Sequence, residues 1–319
     1  MKEISILDIE GVKIGNASDK KGLTGVTAII CPVGAPCGVD IRGGGPASRE
    51  TQLLNPLAAA EKIHAVILSG GSAFGLDCAG GVMEYLEEKG IGFDTGITKV
   101  PLVCTSCIFD LVIGDYKCRP DKKMGYEAAE NAFKGLFKEG SEGAGTGATV
   151  GKLKGPGFMM KSGIGAYAAE CGGLKMGAVV CVNALGDIYE NGKIIAGLLN
   201  EEKSDFADSS KELLKSISPK ENLFTSNTTI GAVITNAEFD KTQMNKIAAM
   251  AHNAYAKAIC PVNTTADGDS VYALSTGGYS ADINAAGTLA AFVMEKAIIH
   301  AVKSAESING VISFADLKK

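Results

Sequence analysis

The stretch Phe224-Thr225-Ser226-Asn227-Thr228-Thr229-Ile230 decides how the chain is read, because polar, hydroxyl-bearing residues there open directly into an apolar run. Ile230 to Thr235 has the β-branched composition of a strand, so Asn227 and Thr228 stand at its entrance. A polar turn leading into a strand is one reading of this junction. The other is chemical. The Thr228 hydroxyl can attack the Asn227 carbonyl, move the acyl group from nitrogen to oxygen, and let water release a new N-terminal threonine. That residue would carry a nucleophile and a base together, its hydroxyl and its own α-amine. An α-amine titrates near ~8, close to where a general base works best.

Outward from the junction, strand and helix patterns mix. Downstream, Met244, Ile247, Ala248, Ala251, Tyr255, Ala258 and Ile259 mark one face of a helix. Val271 to Leu274 reads as a further strand and Ala281 to Ala305 as a long closing helix. Upstream, Ala65 to Leu68 is a short buried strand, followed by Gly70-Gly71 and a helix from Ala73 to Lys89 that stops at Gly90. Met124 to Phe133 reads as helix, Glu142 to Gly151 as a glycine-rich loop, and Met176 to Val182 as a strand. The segment from Glu201 to Asn222, rich in Lys, Glu and Ser, is a surface connection that ends just before Asn227. The piece after the junction needs strands from the first 227 residues to bury both faces of its own. One intertwined domain over 1–319 is therefore expected, with sheets in the middle and helices outside.

Composition narrows the function. The 319 residues are 46% hydrophobic and 21% charged, ordinary for a soluble globular protein, while 41 glycines are nearly twice the usual share. A net charge of −5 offers no electrostatic footprint for nucleic acid, and there is no basic run for a membrane surface. Met1 to Asp8 lacks the apolar core of a signal peptide, and the best late apolar run, Ala285 to Val302, is interrupted by Glu295 and Lys296. A cytoplasmic protein is expected. Nine scattered cysteines do not form a disulfide framework. Cys104-Thr105-Ser106-Cys107, with Cys118 downstream, has no second pair at zinc spacing, so buried free thiols are the better reading and no metal is expected.

Familiar catalytic motifs fail. Gly70-Gly71-Ser72-Ala73-Phe74-Gly75 has Phe74 where a serine-hydrolase elbow needs glycine. Gly145 to Lys152 misplaces the first glycine of a phosphate loop, and Leu153 replaces its magnesium-binding Ser or Thr. Of the three histidines, His252 and His300 fall inside expected helices and His64 at a helix-to-strand junction, which suits structural roles. An enzyme without a catalytic histidine needs another base, and the α-amine of a freed Thr228 would be one.

Three further places carry chemistry. Asp267-Gly268-Asp269 puts two carboxylates two residues apart before a strand; in extended chain both would project to one side, and in a turn they would not. Asn183 ends the strand Gly177 to Val182, where a side-chain amide can face a developing oxyanion or merely cap a turn. Lys152 follows the glycine-rich loop, a position at which a lysine is usually solvated.

Several segments together resemble the DmpA-like peptidases, the L-aminopeptidase/D-esterase family of self-processing N-terminal-nucleophile hydrolases. They are Gly11-Val12-Lys13-Ile14-Gly15, Thr24-Gly25-Val26-Thr27, Arg42-Gly43-Gly44-Gly45 with Ser48-Arg49-Glu50-Thr51, and Gly70 to Leu76. Gly143-Ala144-Gly145-Thr146-Gly147, Asn227-Thr228-Thr229 and Asp267-Gly268-Asp269 follow in the family's order. At the site the chain is similar to the nylon-oligomer hydrolase branch. That resemblance implies Thr228 as nucleophile, Lys152 and Asn183 as partners, and Asp267 with Asp269 as the acidic pair. Aminopeptidase members usually carry serine as nucleophile and Ser-Gly-Glu in place of Asp-Gly-Asp, so the chain departs from them at both points.

The resemblance further implies an α+β fold of four αββα layers and cleavage at Asn227-Thr228 into an α-chain, 1–227, and a β-chain, 228–319. It implies a homo-oligomer, a tetramer of processed protomers, acting on short peptides, amino-acid amides or ω-amino acid oligomers, with no cofactor. Two other functions fit the sequence: an acyltransferase resembling ornithine acetyltransferase, and an uncut protein whose glycine-rich loops bind a small metabolite.

Overall fold

The computed structural model describes residues 1–215, 217 and 227–317. Its organisation follows from strands that are apolar on both faces. In Leu174–Asn183, Ala178, Val180 and Val182 turn toward helices, while Val179 and Cys181 turn toward a second sheet. In Ile63–Ser69, Val66 and Leu68 face that same inter-sheet layer, and Ala65 and Ile67 face helices of their own. A strand buried on both faces needs a layer on each side, and here both strands have one.

Two sheets therefore lie face to face. The larger runs in the order Lys2–Ile4, Ile164–Cys171, Leu174–Asn183, Thr228–Ala237, Ser270–Tyr279, Cys37–Ile41. The other runs Lys13–Asp19, Thr24–Ala35, Ile63–Ser69, Val103–Cys107, Ser48–Arg49. Helices Cys78–Glu88 and Lys122–Phe133 cover the second sheet; Lys241–Ala251, Asn253–Ala258 and Ile283–Lys303 cover the first. The layers run αββα. The two strands that follow Asn227 sit in the middle of the larger sheet, flanked on both sides by strands that precede it.

Several expectations shift. The helix expected over Ala73 to Lys89 begins as a 3-10 turn, Ser72–Asp77, and becomes α-helical only at Cys78. Gly75 lies so close to Gly70 that an added Cβ would sit 1.9 Å from the Gly70 carbonyl oxygen, so the chain reverses too tightly for an open α turn. The helix expected from Met244 to Ile259 is two, Lys241–Ala251 and Asn253–Ala258, broken at His252, whose ring is held on both sides. His64 lies inside a strand rather than at a junction. The connection Glu201 to Asn222 contains a short helix, Ser209–Leu214, and its part from 218 onward lies outside the described residues. All nine cysteines are free.

The helix Ile283–Lys303 is long and apolar enough to cross a bilayer, but it is mostly buried against Ile164–Cys171 and Leu174–Asn183. Gly165 permits that contact: a Cβ there would lie 2.1 Å from the Ala297 carbonyl oxygen. Gly165→Ala should therefore push the helix off the sheet and destabilise the protein by about 1–3 kcal/mol. A denaturation midpoint shifted downward at constant slope is the expected result; an unchanged midpoint would contradict this packing.

Candidate active site

Strand pairing builds the site. Thr228–Ala237 runs antiparallel to Leu174–Asn183, with Thr228 opposite Asn183, and parallel to Ser270–Tyr279, with Ile230 opposite Ser270. Parallel neighbours start at the same edge, so the junction Asn227-Thr228 lies beside the loop Asp267-Gly268-Asp269. Asn227 pairs with Asp267 in a short parallel bridge. Its N–H donates to the Ala266 carbonyl at 3.2 Å, and its carbonyl accepts the Gly268 N–H at 2.9 Å. The Thr228 hydroxyl also donates to the Asn227 carbonyl oxygen. A Cβ on residue 268 would lie 2.8 Å from Thr228 Oγ1 and 2.9 Å from the Gly45 carbonyl oxygen. Glycine is the residue that fits there.

The acidic pair follows the turn at Thr265-Ala266 and runs on toward Ser270 in the same parallel register, with Asp267 bridged to Asn227. The Asp267 carboxylate bends back to accept the N–H and hydroxyl of Thr264 at 2.7 and 2.6 Å. Asp269 instead accepts the Thr229 N–H at 2.6 Å and the Asn263 N–H at 3.0 Å. The glycine run after Arg42 clasps this turn from outside. Arg42 N–H reaches the Asp269 carbonyl at 3.0 Å, Gly44 N–H the Thr264 carbonyl at 3.1 Å, and Gly45 N–H the Asp267 carbonyl at 2.8 Å. Asn263 is left-handed at φ 57°, which lets its amide turn to the buried His252, 3.0 Å from the ring Nε2, while its N–H serves Asp269. The other ring nitrogen of His252 lies 3.0 Å from Asp40.

Lys152 and Asn183 form one unit; Lys152 stands at the site as the resemblance implies, but the Asn183 amide does not face the Asn227 carbonyl. Lys152 is buried rather than solvated, and its Nζ donates to the Asn183 backbone carbonyl at 3.0 Å and side-chain oxygen at 2.6 Å. The Asn183 oxygen also receives the Thr149 N–H, while its Nδ2 donates to the Phe109 carbonyl at 3.0 Å. The amide thus anchors the 109 loop, and the donor on the Asn227 carbonyl is the Gly268 backbone. Fully buried Lys161, unnoticed in the sequence, donates to the carbonyls of Gly145, Ala148 and Ser162 and so holds the glycine-rich loop that leads to Lys152. Its place after two methionines gives no hint of that role.

Thr228, Asn183, Lys152, Asp267 and Asp269 thus converge, and all are buried. Burial lowers the Lys152 ammonium to about 7, against the pull of Asp267 and Asp110. Burial also raises Asp267, and Asp269 is raised by burial and then by the Asp267 charge. Asp110, raised by burial, accepts from the Thr24 hydroxyl and the Gly71 N–H, both at 2.7 Å. A cavity of about 270 Å³ opens onto Thr228, lined by Gly44, Gly45, Ser72, Cys107 and Phe109 among others. Among the described residues no group of three or more His, Cys, Asp or Glu could hold a metal ion.

The lowered Lys152 pKa has a signed consequence. The folded value, about 7, lies below the ordinary 10.5, so between these limits the unfolded chain binds more protons than the folded one. Stability contributed by this residue must then rise with pH across that window. In a Thr228→Ala background, the chain with Lys152 should gain on the order of a few kcal/mol from pH ~7 to ~10 relative to one with Lys152→Met. Parallel pH–stability curves for the two would contradict the buried, depressed lysine.

A family model described as peptidase family S58 matches residues 5–313. An uncharacterized aminopeptidase of Mycobacterium leprae is 34% identical, over 98% of this chain and 94% of its own. A 6-aminohexanoate-oligomer endohydrolase of Kocuria sp. strain KY2 is 30% identical, over 95% of this chain and 87% of its own. The fold matches the solved β-aminopeptidase of Burkholderia sp. at a TM-score of 0.71 and 18% identity, over 98% of this chain and 92% of that one. It also matches the L-aminopeptidase D-Ala-esterase/amidase of Ochrobactrum anthropi, a variant of the Ntn hydrolase fold, at a TM-score of 0.70 and 18% identity, over 98% and 91% of the two chains. With motifs, layers and family model in agreement over nearly the whole length, the chain belongs to peptidase family S58, and with it to the hydrolases of amide bonds.

Proposed function

We propose that the chain matures by cutting its own Asn227-Thr228 bond and that the freed Thr228 then hydrolyses amides of short peptides, amino acids or ω-amino acid oligomers. One observation carries this reading. The Asn227 carbonyl oxygen accepts the Gly268 N–H at 2.9 Å while the Thr228 hydroxyl touches the same oxygen. The nucleophile and a donor fixed where negative charge develops converge on one carbonyl, an arrangement that favours a tetrahedral intermediate.

In turnover the Thr228 hydroxyl attacks the substrate carbonyl, and its α-amine takes the proton and returns it to the leaving amine. Water then hydrolyses the ester on Thr228. At this stage the acidic pair gains a further partner beside Lys152 and the donors it already has. Before cleavage, Asp267 is raised by burial, and Asp269 by burial and then by the Asp267 charge. The freed α-amine of Thr228 is oriented by the carboxylates, and once it has taken the hydroxyl proton they stabilise its positive charge. Lys152 holds both oxygens of Asn183 and thereby the strand end opposite Thr228.

The names of the relatives, an aminopeptidase and a 6-aminohexanoate-oligomer endohydrolase, support amide substrates for this chain too. The reading takes the mature enzyme as a cytoplasmic homo-oligomer, a tetramer of processed protomers. Nine free thiols support the compartment, and the family resemblance supports the assembly.

Thr228→Ala should remain one chain and lose amide hydrolysis by at least ~10⁴-fold, as expected when a nucleophile is removed. Thr229→Ala should still mature, because its side chain points to the opposite face of the strand. A Thr228→Ala protein that still splits after residue 227 sinks the assignment. Gly268→Ala, which places a methyl against Thr228 Oγ1, should slow maturation by about 100-fold or more; cleavage at the normal rate on denaturing gels would count against the Gly268 contact.

A further inference from the structure

Resting on Thr228 as nucleophile, the structure also bears on the class of acyl group the enzyme accepts. The ester formed in maturation and the acyl-enzyme formed in turnover are one linkage on one oxygen. In both, a bond forms between Thr228 Oγ1 and an acyl carbon as that carbon's bond to nitrogen breaks. In turnover the hydroxyl proton passes to the leaving amine; water then adds to the acyl carbon and its proton returns to Oγ1. Whatever seats the acyl residue for the first reaction is therefore placed to seat it for the second.

The seat of Asn227 is well defined. The residue is 1% exposed and lies parallel to the chain at 266–268, with its N–H on the Ala266 carbonyl and its own carbonyl on the Gly268 N–H. These are strand-type contacts to main chain, a mode of recognition in which backbone hydrogen bonds give affinity and side-chain pockets give selectivity. The Arg42 to Gly45 clasp fixes the recognising backbone, because Gly44 and Gly45 N–H groups hold the Thr264 and Asp267 carbonyls. The adjoining cavity of about 270 Å³ includes Ala47, Ser72, Cys107 and Phe109, and none of its described lining residues is charged.

We propose that the seat of Asn227, between the Ala266 carbonyl and the Gly268 N–H, is the acyl subsite for substrate, selecting α-amino-acyl groups that carry an N–H on the α-carbon and a neutral side chain. Cleavage makes the seat available. It breaks the covalent link to Thr228, so the strand-type contacts of Asn227 can be exchanged for those of a substrate. A desamino or ω-amino acyl chain has no N–H at the position the Ala266 carbonyl reads. A charged side chain in the cavity would be desolvated among described lining residues that carry no charged side chain.

The test uses the fully processed protein and four p-nitroanilides: Nα-acetylasparaginyl, succinamoyl (the same chain without the α-N–H), Nα-acetylaspartyl and 6-aminohexanoyl. The expected result is kcat/KM for the first at least 10-fold above each of the others. Equal rates for the acetylasparaginyl and succinamoyl compounds overturn the role of Ala266, and a 6-aminohexanoyl compound cleaved fastest overturns the α-amino-acyl class. Equal rates for the asparaginyl and aspartyl compounds overturn the neutral pocket, and absence of turnover of the first overturns the subsite. Uncut Thr228→Ala distinguishes a deeper failure: if it hydrolyses any of the four, the nucleophile itself is wrong.

Discussion

Everything at the site depends on the parallel pairing of Thr228–Ala237 with Ser270–Tyr279. Parallel strands begin at the same edge and need a crossover between them, supplied here by helices Lys241–Ala251 and Asn253–Ala258. The pairing places the Asn227-Thr228 bond beside the backbone of residues 266–268. Were the pairing antiparallel, the Asp-Gly-Asp segment would lie at the far end of the sheet. The layers on either side make the register hard to change, since a one-residue slip would exchange the helix-facing and sheet-facing side chains of both strands.

A second constraint is electrostatic. One lysine and three aspartates, Lys152, Asp110, Asp267 and Asp269, lie buried between the sheets' ends, where each charge costs desolvation unless it is paired or hydrogen-bonded. The protein satisfies them with neutral donors and acceptors: Asn183 for Lys152, Thr264 for Asp267, and the N–H groups of Thr229 and Asn263 for Asp269. Such a site has a surplus of negative charge, which stabilises the positive charge that the freed Thr228 amine gains on taking the hydroxyl proton.

The fold was largely legible because its signals are local and periodic. Strands apolar on both faces, such as Ala65 to Leu68 and Met176 to Val182, require two covering layers, and the amphipathic helices supply them. The place of Thr228 at the start of a strand was legible because an Asn-Thr pair opens an apolar run. What the sequence concealed depends on contacts between distant residues. Lys152 could be placed at the site only by resemblance, since nothing near it in the chain reveals that Asn183 arrives as its acceptor. Asn183 looked like an oxyanion donor, whereas its amide is used by the Phe109 carbonyl. Gly268 lay in view between two aspartates, yet its close fit against Thr228 Oγ1 appears only in three dimensions. His252 broke a helix that periodicity alone ran straight through.

The central claim is that Asn227 and Thr228 part company by their own chemistry, and intact mass of the freshly purified wild-type chain under denaturing conditions, followed over days, tests it most directly. The account predicts fragments of ~23 and ~9 kDa, by proportion to the 32.8 kDa chain, with the smaller beginning at Thr228. A single 32.8 kDa species that stays whole throughout, or a cut at any other bond, would contradict it.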